Sequence, residues 1–424
     1  MDISKLNGQL ANCPCGKTHY FESDFIEIGH NVLENIYSLC HKYSKILVVS
    51  DENTYNVCGS KVVTLLSDKV KKSLILSDNG PVIVPNEEKI EEINSAFTSD
   101  DCFDLIVGVG SGVINDLCKY VSYNHGLPYY IVATAPSMDG YTSVGCALIL
   151  GGMKVTKNAL PPKGIIGDTT ILKDAPMEML RAGYGDIIGK FSCLNDWKLS
   201  SLINGEYFCQ NVYDITYSCA EQVSKLAKGI VDREEETIKT LMEALVLVGI
   251  AMSYVGNSRP ASGSEHHLSH FFEIVGLLEG KEYFLHGIDV AYSSVCTQML
   301  REEILEMDKP DKRVGFNEEK YKETIKKIYH SAGDGVIALQ QKLGWYNQDK
   351  LSTYQEKWTE IKEILASAPT SEQFIDYLNN IGLDFEEFKS HYGEKMINDA
   401  VWFAKDLKDR YTILWLYFDL KYQF

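Results

Sequence analysis

The sequence is short of basic residues. Its 424 residues hold 41 Lys and Arg against 59 Asp and Glu, for a formal net charge of −18. A surface of that sign repels polyphosphates and anionic headgroups, so neither a nucleic-acid partner nor insertion at an anionic membrane is expected. Long hydrophobic runs are missing as well: none reaches the about 18 residues of a bilayer span. The opening stretch MDISKLNGQLANCPCGK has no apolar core behind a basic start, which excludes a secretory signal from the expectation. The 11 cysteines are odd in number and scattered, unlike a disulfide framework, and point to the reducing cytoplasm. There is no internal repeat and no low-complexity tract. The hydrophobic share of 45% is ordinary for a globular enzyme and supplies cores for two or three domains. One constraint follows from the acidity: an anionic substrate needs a locally cationic pocket.

What is present is an alternation of strand and helix signals. Lys45–Ser50, Ser73–Leu76, Leu105–Val109 and Tyr129–Ala133 are short apolar runs rich in β-branched or aromatic residues. Between them, 87–97 and 114–123 carry helical periodicity. That order predicts an α/β domain with a parallel sheet over 1–180. Beyond a Gly/Pro-bearing stretch that ends near Gly183-Tyr-Gly185, long helical periods dominate, such as 236–255 and 321–343, so 181–424 is expected to be a helical domain.

Three groups of residues carry chemistry. Val107-Gly-Val-Gly-Ser-Gly112 joins a strand to a helix; glycines there let a pyrophosphate approach the backbone at a helix N-terminus. Its G-x-G-x-G spacing is not the dinucleotide fingerprint, and a ligand-free turn is the alternative. Asp51 follows an earlier strand. It either accepts from a ribose hydroxyl, which favours NAD over NADP, or caps the helix that follows. Four of the ten histidines, His266, His267, His270 and His286, lie within 21 residues, and Asp186 opens an apolar helical stretch. A carboxylate and two imidazoles suit zinc or a similar divalent ion; a capping aspartate and surface histidines are the plainer reading. The third group is Cys13-Pro-Cys15-Gly-Lys-Thr-His19. With no fourth ligand nearby in the sequence, it is taken as a tight Pro-Gly loop carrying two thiols rather than a zinc site.

The ordered set Gly110-Ser-Gly112, Asp116-x-x-Lys119, Thr134-Ala-Pro-Ser137-x-Asp139, Gly185-Asp186, Gly263-x-x-His266 and His286-Gly287 resembles the iron-containing alcohol dehydrogenase superfamily, whose fold dehydroquinate synthase shares. Within it, Ser258–His270 and Asp409-Arg-Tyr-Thr-Ile-Leu414 are similar to the glycerol-1-phosphate dehydrogenases. The resemblance implies a Rossmann-like α/β nucleotide domain followed by an all-α metal-binding domain. It implies zinc or nickel on Asp186, His266 and His286. It implies NAD or NADP on Asp51, Gly112, Val113, Ile114, Asn115, Asp116, Thr134, Ala135, Pro136, Ser137 and Ser143. Asp139, Asp186 and His270 would face the substrate, with His270 moving a proton and Asp139 orienting a hydroxyl.

The implied reaction is reversible NAD(P)H-linked reduction of dihydroxyacetone phosphate to sn-glycerol 1-phosphate, by a cytoplasmic homodimer serving phospholipid synthesis. Glycerol dehydrogenase and a dehydroquinate synthase-like lyase or cyclase are the alternatives. Arg259 is the first candidate for the substrate phosphate and Lys190 the second. Two positions depart from the family pattern. Lys190 stands where the iron enzymes place a third histidine, and Ser111 replaces the middle glycine of the loop.

Overall fold

The computed structural model describes residues 8–10, 13–77, 83–98, 102–151, 153–312, 315 and 317–422. It divides into two compact units, Met1–Tyr184 with Lys225–Ser258, and Gly185–Ser224 with Arg259–Phe424.

The first unit is built on a sheet. Its strands are β1 (Gly8–Leu10), β2 (His19–Phe21), β3 (Phe25–Gly29), β4 (Ile46–Asp51), β5 (Val70–Leu76), β6 (Leu105–Gly110), β7 (Tyr129–Ala133), β8 (Gly145–Leu150), β9 (Met153–Asn158) and β10 (Gly164–Asp168). Six of them form one sheet in the order β3-β10-β7-β6-β4-β5, with every neighbouring pair parallel. β6, β7 and β10 are buried at every residue, as strands covered on both faces must be. At the edge, β5 alternates between exposed and half-buried residues. Ile46, Val48, Val107, Val109, Val132 and Ile166 share one core cluster with Leu33, Val62 and Leu66. β1 and β2, and β8 and β9, are separate antiparallel pairs. After β5 the chain returns across β4 to lay down β6. The strand order therefore reverses between β4 and β6, and the carboxyl ends of those two strands bound the crevice where open α/β sheets hold ligands.

Helix α1 (Gly112–His125) leaves β6 directly. Helix α2 (Met177–Ile188) runs straight through the expected boundary near residue 180 and on through Gly183 and Gly185. They are packing positions: a Cβ on Gly183 would lie 1.8 Å from the Pro136 carbonyl oxygen. Residues 225–258, helical in the sequence reading and assigned there to the second half, group with the first unit. Their main element, Glu235–Val255, packs against β2, β3 and the Gly140–Thr142 turn. Its best 18-residue window reaches a mean hydropathy of 1.7, enough by composition for a bilayer span, yet 72% of it is buried within the protein. It is a core helix.

The second unit is helical among its described residues. The elements that matter below are α3 (Lys190–Asn204), α4 (Ser264–Glu279), α5 (His286–Leu305) and α6 (Ile413–Lys421). The single period expected over 321–343 is broken. His330 adopts φ 44°, and two helices, Glu318–Tyr329 and Gly333–Leu343, fold back on each other. Gly333 permits the turn, because a Cβ there would meet the Lys326 Cα at 2.9 Å.

Candidate dinucleotide and metal sites

In the first unit the residues expected to contact a dinucleotide gather at the carboxyl ends of β4, β6 and β7. Gly110 must be glycine, since its Cβ would sit 2.6 Å from Ile114 Cβ. Ser111 precedes α1 without capping it through its side chain. The first-turn amides of Gly112, Val113 and Ile114 have no carbonyl one turn back within the helix, and the helix dipole adds positive potential there. A Cβ on Gly112 would meet only Met138, at 3.4 Å and beyond. Ile114 and Asn115 are buried, so a ligand would meet backbone here rather than side chains. Asp116 points inward, its Oδ2 accepting from the Ala147 amide at 3.0 Å.

The loop after β7, Thr134-Ala-Pro-Ser137, is held from beneath. The Tyr141 hydroxyl donates to the Ala135 carbonyl at 2.7 Å. Buried Lys119 donates to Gly140 O at 2.7 Å, Gly145 O at 3.0 Å and Ser143 Oγ at 3.2 Å; burial lowers its pKa. Asp139 is buried beside this turn. Asp51 does cap its helix, in a reciprocal capping box with Thr54, so a ribose contact would be added to that role.

In the second unit, Asp186, His266 and His286 bring one ligand atom each to within 4.8 Å of one another. Asp186 Oδ1 lies 3.6 Å from His266 Nε2. Each imidazole is oriented by its other nitrogen. His266 Nδ1 donates to Glu265 Oε1 at 2.7 Å, and that oxygen also accepts from the Gly263 amide at 2.8 Å. The Ser269 hydroxyl donates to the His286 carbonyl at 3.4 Å and accepts from His286 Nδ1 at 3.2 Å. His266 therefore carries its proton on Nδ1 and turns its Nε2 lone pair toward the carboxylate, the arrangement that supports histidine as a metal ligand, while the His286 ring is held at Nδ1 by Ser269. Burial opposes ionisation of Asp186, but the Lys190 ammonium and the two imidazoles outweigh it and hold the carboxyl below its usual range. Glu265 is likewise held low, against burial, by His266 and the Gly263 amide. The donor set fits a borderline divalent ion.

Backbone contact sets the spacing of these donors. A Cβ on Gly185 would lie 2.3 Å from the Gly287 carbonyl oxygen, so α2 and α5 touch main chain to main chain beside Asp186 and His286. Lys190 Nζ donates to Asp186 Oδ1 at 2.7 Å and to the Ala261 carbonyl at 3.1 Å. His270 stacks on His286 with ring centroids 5.1 Å apart, and its Nδ1 lies 3.6 Å from Glu273. His267, one residue after His266, is fully buried on another side of α4. Burial, then the Arg410, Lys408 and Arg259 charges, push its pKa well down and keep it neutral.

Arg259 is buried. Its Nη2 donates to the Tyr411 carbonyl at 2.7 Å and the Asp196 carbonyl at 3.1 Å, and pairs with Glu206 at 3.1 Å. Arg410, whose Nη1 donates to the Ser262 carbonyl at 2.7 Å, is its cationic neighbour. Burial and the Arg259 charge hold the Arg410 pKa down to about 10.

A family model described as iron-containing alcohol dehydrogenase matches residues 27–176. A glycerol-1-phosphate dehydrogenase (NAD(P)+) of Halalkalibacterium halodurans is 34% identical over 296 residues, covering 68% of this chain and 74% of that protein. The chain belongs to the glycerol-1-phosphate dehydrogenase family. The likeness to its family member in Bacillus licheniformis runs nearly end to end, at 28% identity over 97% of this chain and 92% of that protein. A Thermoplasma volcanium member is 32% identical over 68% of this chain and 80% of its own length. Among solved structures, an archaeal alcohol dehydrogenase from a Red Sea brine pool superposes with a TM-score of 0.62 at 14% identity, over 94% of this chain and 97% of that one. The glycerol dehydrogenase of Schizosaccharomyces pombe gives 0.54 at 18% identity, over 92% and 94%. These two similarities establish the fold alone.

Three residues of this family member escaped the sequence reading. Glu265 and Ser269 lie one before and three after His266, where nothing but geometry shows that they orient imidazoles. Arg410 sits inside the Asp409–Leu414 segment that carried the resemblance, but only the fold brings it beside Arg259.

Proposed function

We propose that this chain catalyses the reversible NAD(P)H-linked reduction of dihydroxyacetone phosphate to sn-glycerol 1-phosphate. The observation that carries this reading is the Asp186–His266–His286 donor set, with both Nδ1 atoms occupied and a further imidazole, His270, stacked alongside. A zinc or nickel ion on those three residues would polarise the substrate carbonyl. The dinucleotide would lie along the glycine loop and the Thr134–Ser137 segment. As hydride reaches carbon, a proton must reach the substrate oxygen; His270, steadied by Glu273, is the group that delivers it. The relatives' shared name supports the phosphorylated triose as substrate, and Arg259 with Arg410 would supply the cationic patch that a protein of net charge −18 needs to hold it. We place the reaction in a cytoplasmic homodimer serving phospholipid synthesis; light scattering at the mass of one chain would remove the dimer from the proposal.

An NADH-oxidation assay tests the reading. Dihydroxyacetone phosphate should be consumed far faster than dihydroxyacetone or glyceraldehyde 3-phosphate, and the product should be the sn-1 enantiomer. Preference for unphosphorylated dihydroxyacetone would make the protein a glycerol dehydrogenase instead. Arg259→Ala should cost on the order of 10–100-fold in kcat/KM with dihydroxyacetone phosphate. It should scarcely change the weaker rate with dihydroxyacetone. Equal losses on both substrates would make Arg259 a structural residue and leave Lys190, Lys154, Lys157 and Lys163 to be tested for the phosphate.

A further inference from the structure

The first unit contains a second group of side chains of metal-ligand type, well away in sequence from those above. Cys13 and Cys15 lie in the connection between β1 and β2, and His19 opens β2; the strands pair as Gly8↔Phe21 and Leu10↔His19. One donor atom from each falls within 4.8 Å of the others. The loop closes tightly: the Gly16 amide donates to the Cys13 carbonyl at 3.0 Å, with Gly16 at φ 79°, a conformation glycine adopts without strain. The Lys17 amide lies 3.5 Å from Cys15 Sγ, where an N–H supports a thiolate. His19 is fully buried. Its Nδ1 lies 2.9 Å from the Tyr254 carbonyl oxygen. A carbonyl can only accept, so Nδ1 carries the ring proton and Nε2 presents its lone pair, 3.3 Å from Cys15 Sγ. A backbone carbonyl behind the ring is the same support that orients metal-bound histidine elsewhere.

We propose that Cys13, Cys15 and His19 bind a zinc ion, with the fourth position filled by water or a further donor. Two thiols and an imidazole are soft and borderline ligands of the kind zinc selects. Binding replaces the two thiol protons, which pass to solvent, and no redox change is involved. Because His19 also holds the Tyr254 carbonyl, the ion would tie the β1–β2 hairpin to the end of the Glu235–Val255 helix. Its role is structural, and it is independent of the reaction proposed above.

Cobalt substitution separates this site from the other one. Asp186, His266 and His286 offer no sulfur, and among the described residues the cysteine site is the one metal-binding group that does, so a thiolate-to-cobalt charge-transfer band in the near ultraviolet reports on it. The band should appear in the unaltered protein, survive His286→Ala, and disappear in Cys15→Ser. Persistence of the band in both Cys13→Ser and Cys15→Ser, or its absence from folded, cobalt-loaded protein, overturns the proposal. A band that survives while the Asp186 site proves empty would overturn only the catalytic reading. Should the cysteine variants not fold, alkylation of the unaltered protein decides. Zinc should slow labelling of Cys15, mapped by mass spectrometry, on the order of tenfold or more relative to chelated protein, and equal labelling rates would exclude the site.

Discussion

The glycine loop of the first unit and the metal cluster of the second are built from different material. In the loop the surface offered to a ligand is main chain: the amides that open α1, with Gly110 and Gly112 keeping side chains out of the way. In the cluster the surface is side chain, and every donor is steadied by a neighbour: His266 by Glu265, His286 by Ser269, Asp186 by Lys190. A backbone site is damaged by adding atoms, and a side-chain site by removing them. Substitutions should therefore act with opposite logic in the two units.

The largest effect is expected from His286→Ala, which removes a donor outright. Metal content by elemental analysis should fall to background and turnover with it, while His267→Ala keeps its metal. Exchange of those two outcomes would reverse the ligand assignment. Next is Gly112→Val, the additive counterpart. Room exists beside Met138, so the fold should survive. Lost phosphate contacts to the first-turn amides should weaken NADH binding, measured by fluorescence titration, on the order of 10–100-fold, with metal content unchanged. Undiminished NADH affinity would show that the loop is only a turn. Glu265→Gln keeps the shape and removes the charge behind His266. Metal affinity should drop on the order of tenfold, and an unaltered affinity would mean that the Gly263 amide contact, not the imidazole, is what Glu265 serves.

The smallest effect is a pH dependence from His267. Its pKa is depressed below the ordinary 6.5, so the folded state refuses a proton that the unfolded chain accepts. Stability from this group is level well above pH 6.5 and declines as pH falls through it, by about 0.8 kcal/mol between pH 8 and pH 6. Denaturant titrations of metal-free protein should show that decline blunted in His267→Gln. An identical slope in the variant would assign it to other groups.

Much of this could be read from the sequence, for physical reasons. β4, β6 and β7 are continuous apolar runs because both faces of a parallel sheet are covered, and such runs stand out at any position. The run of four histidines between 266 and 286 is conspicuous because so few residue types bind metal, but it is the family resemblance, not the residue types, that singles out His266 and His286 with Asp186. What stayed hidden depends on which surface a segment meets. The Glu235–Val255 helix has an obvious period, but a period does not say which unit buries it. Gly183 and Gly185 are close contacts inside a helix, which their neighbours in sequence do not announce. His330 ends a period that otherwise continues through 343, and only the packing of Gly333 on Lys326 explains why. Cys13, Cys15 and His19 read as a plain loop because no fourth ligand lies near them in sequence, and the Tyr254 carbonyl that orients His19 is 235 positions away.

The contact between Gly185 and Gly287 has a mechanical meaning. Two donors, Asp186 and His286, project from backbones that bear directly on each other, so their separation has almost no slack. If these residues hold a divalent ion as proposed, a joint of that kind would act as a gauge, sorting ions by radius as well as by ligand chemistry. Gly185→Ala would act as a shim. We expect it to change which divalent ion binds best, seen as a reordering of zinc, nickel and manganese affinities, more than whether any ion binds. Uniform weakening across all three would show that the helices only pack there and the gauge lies elsewhere.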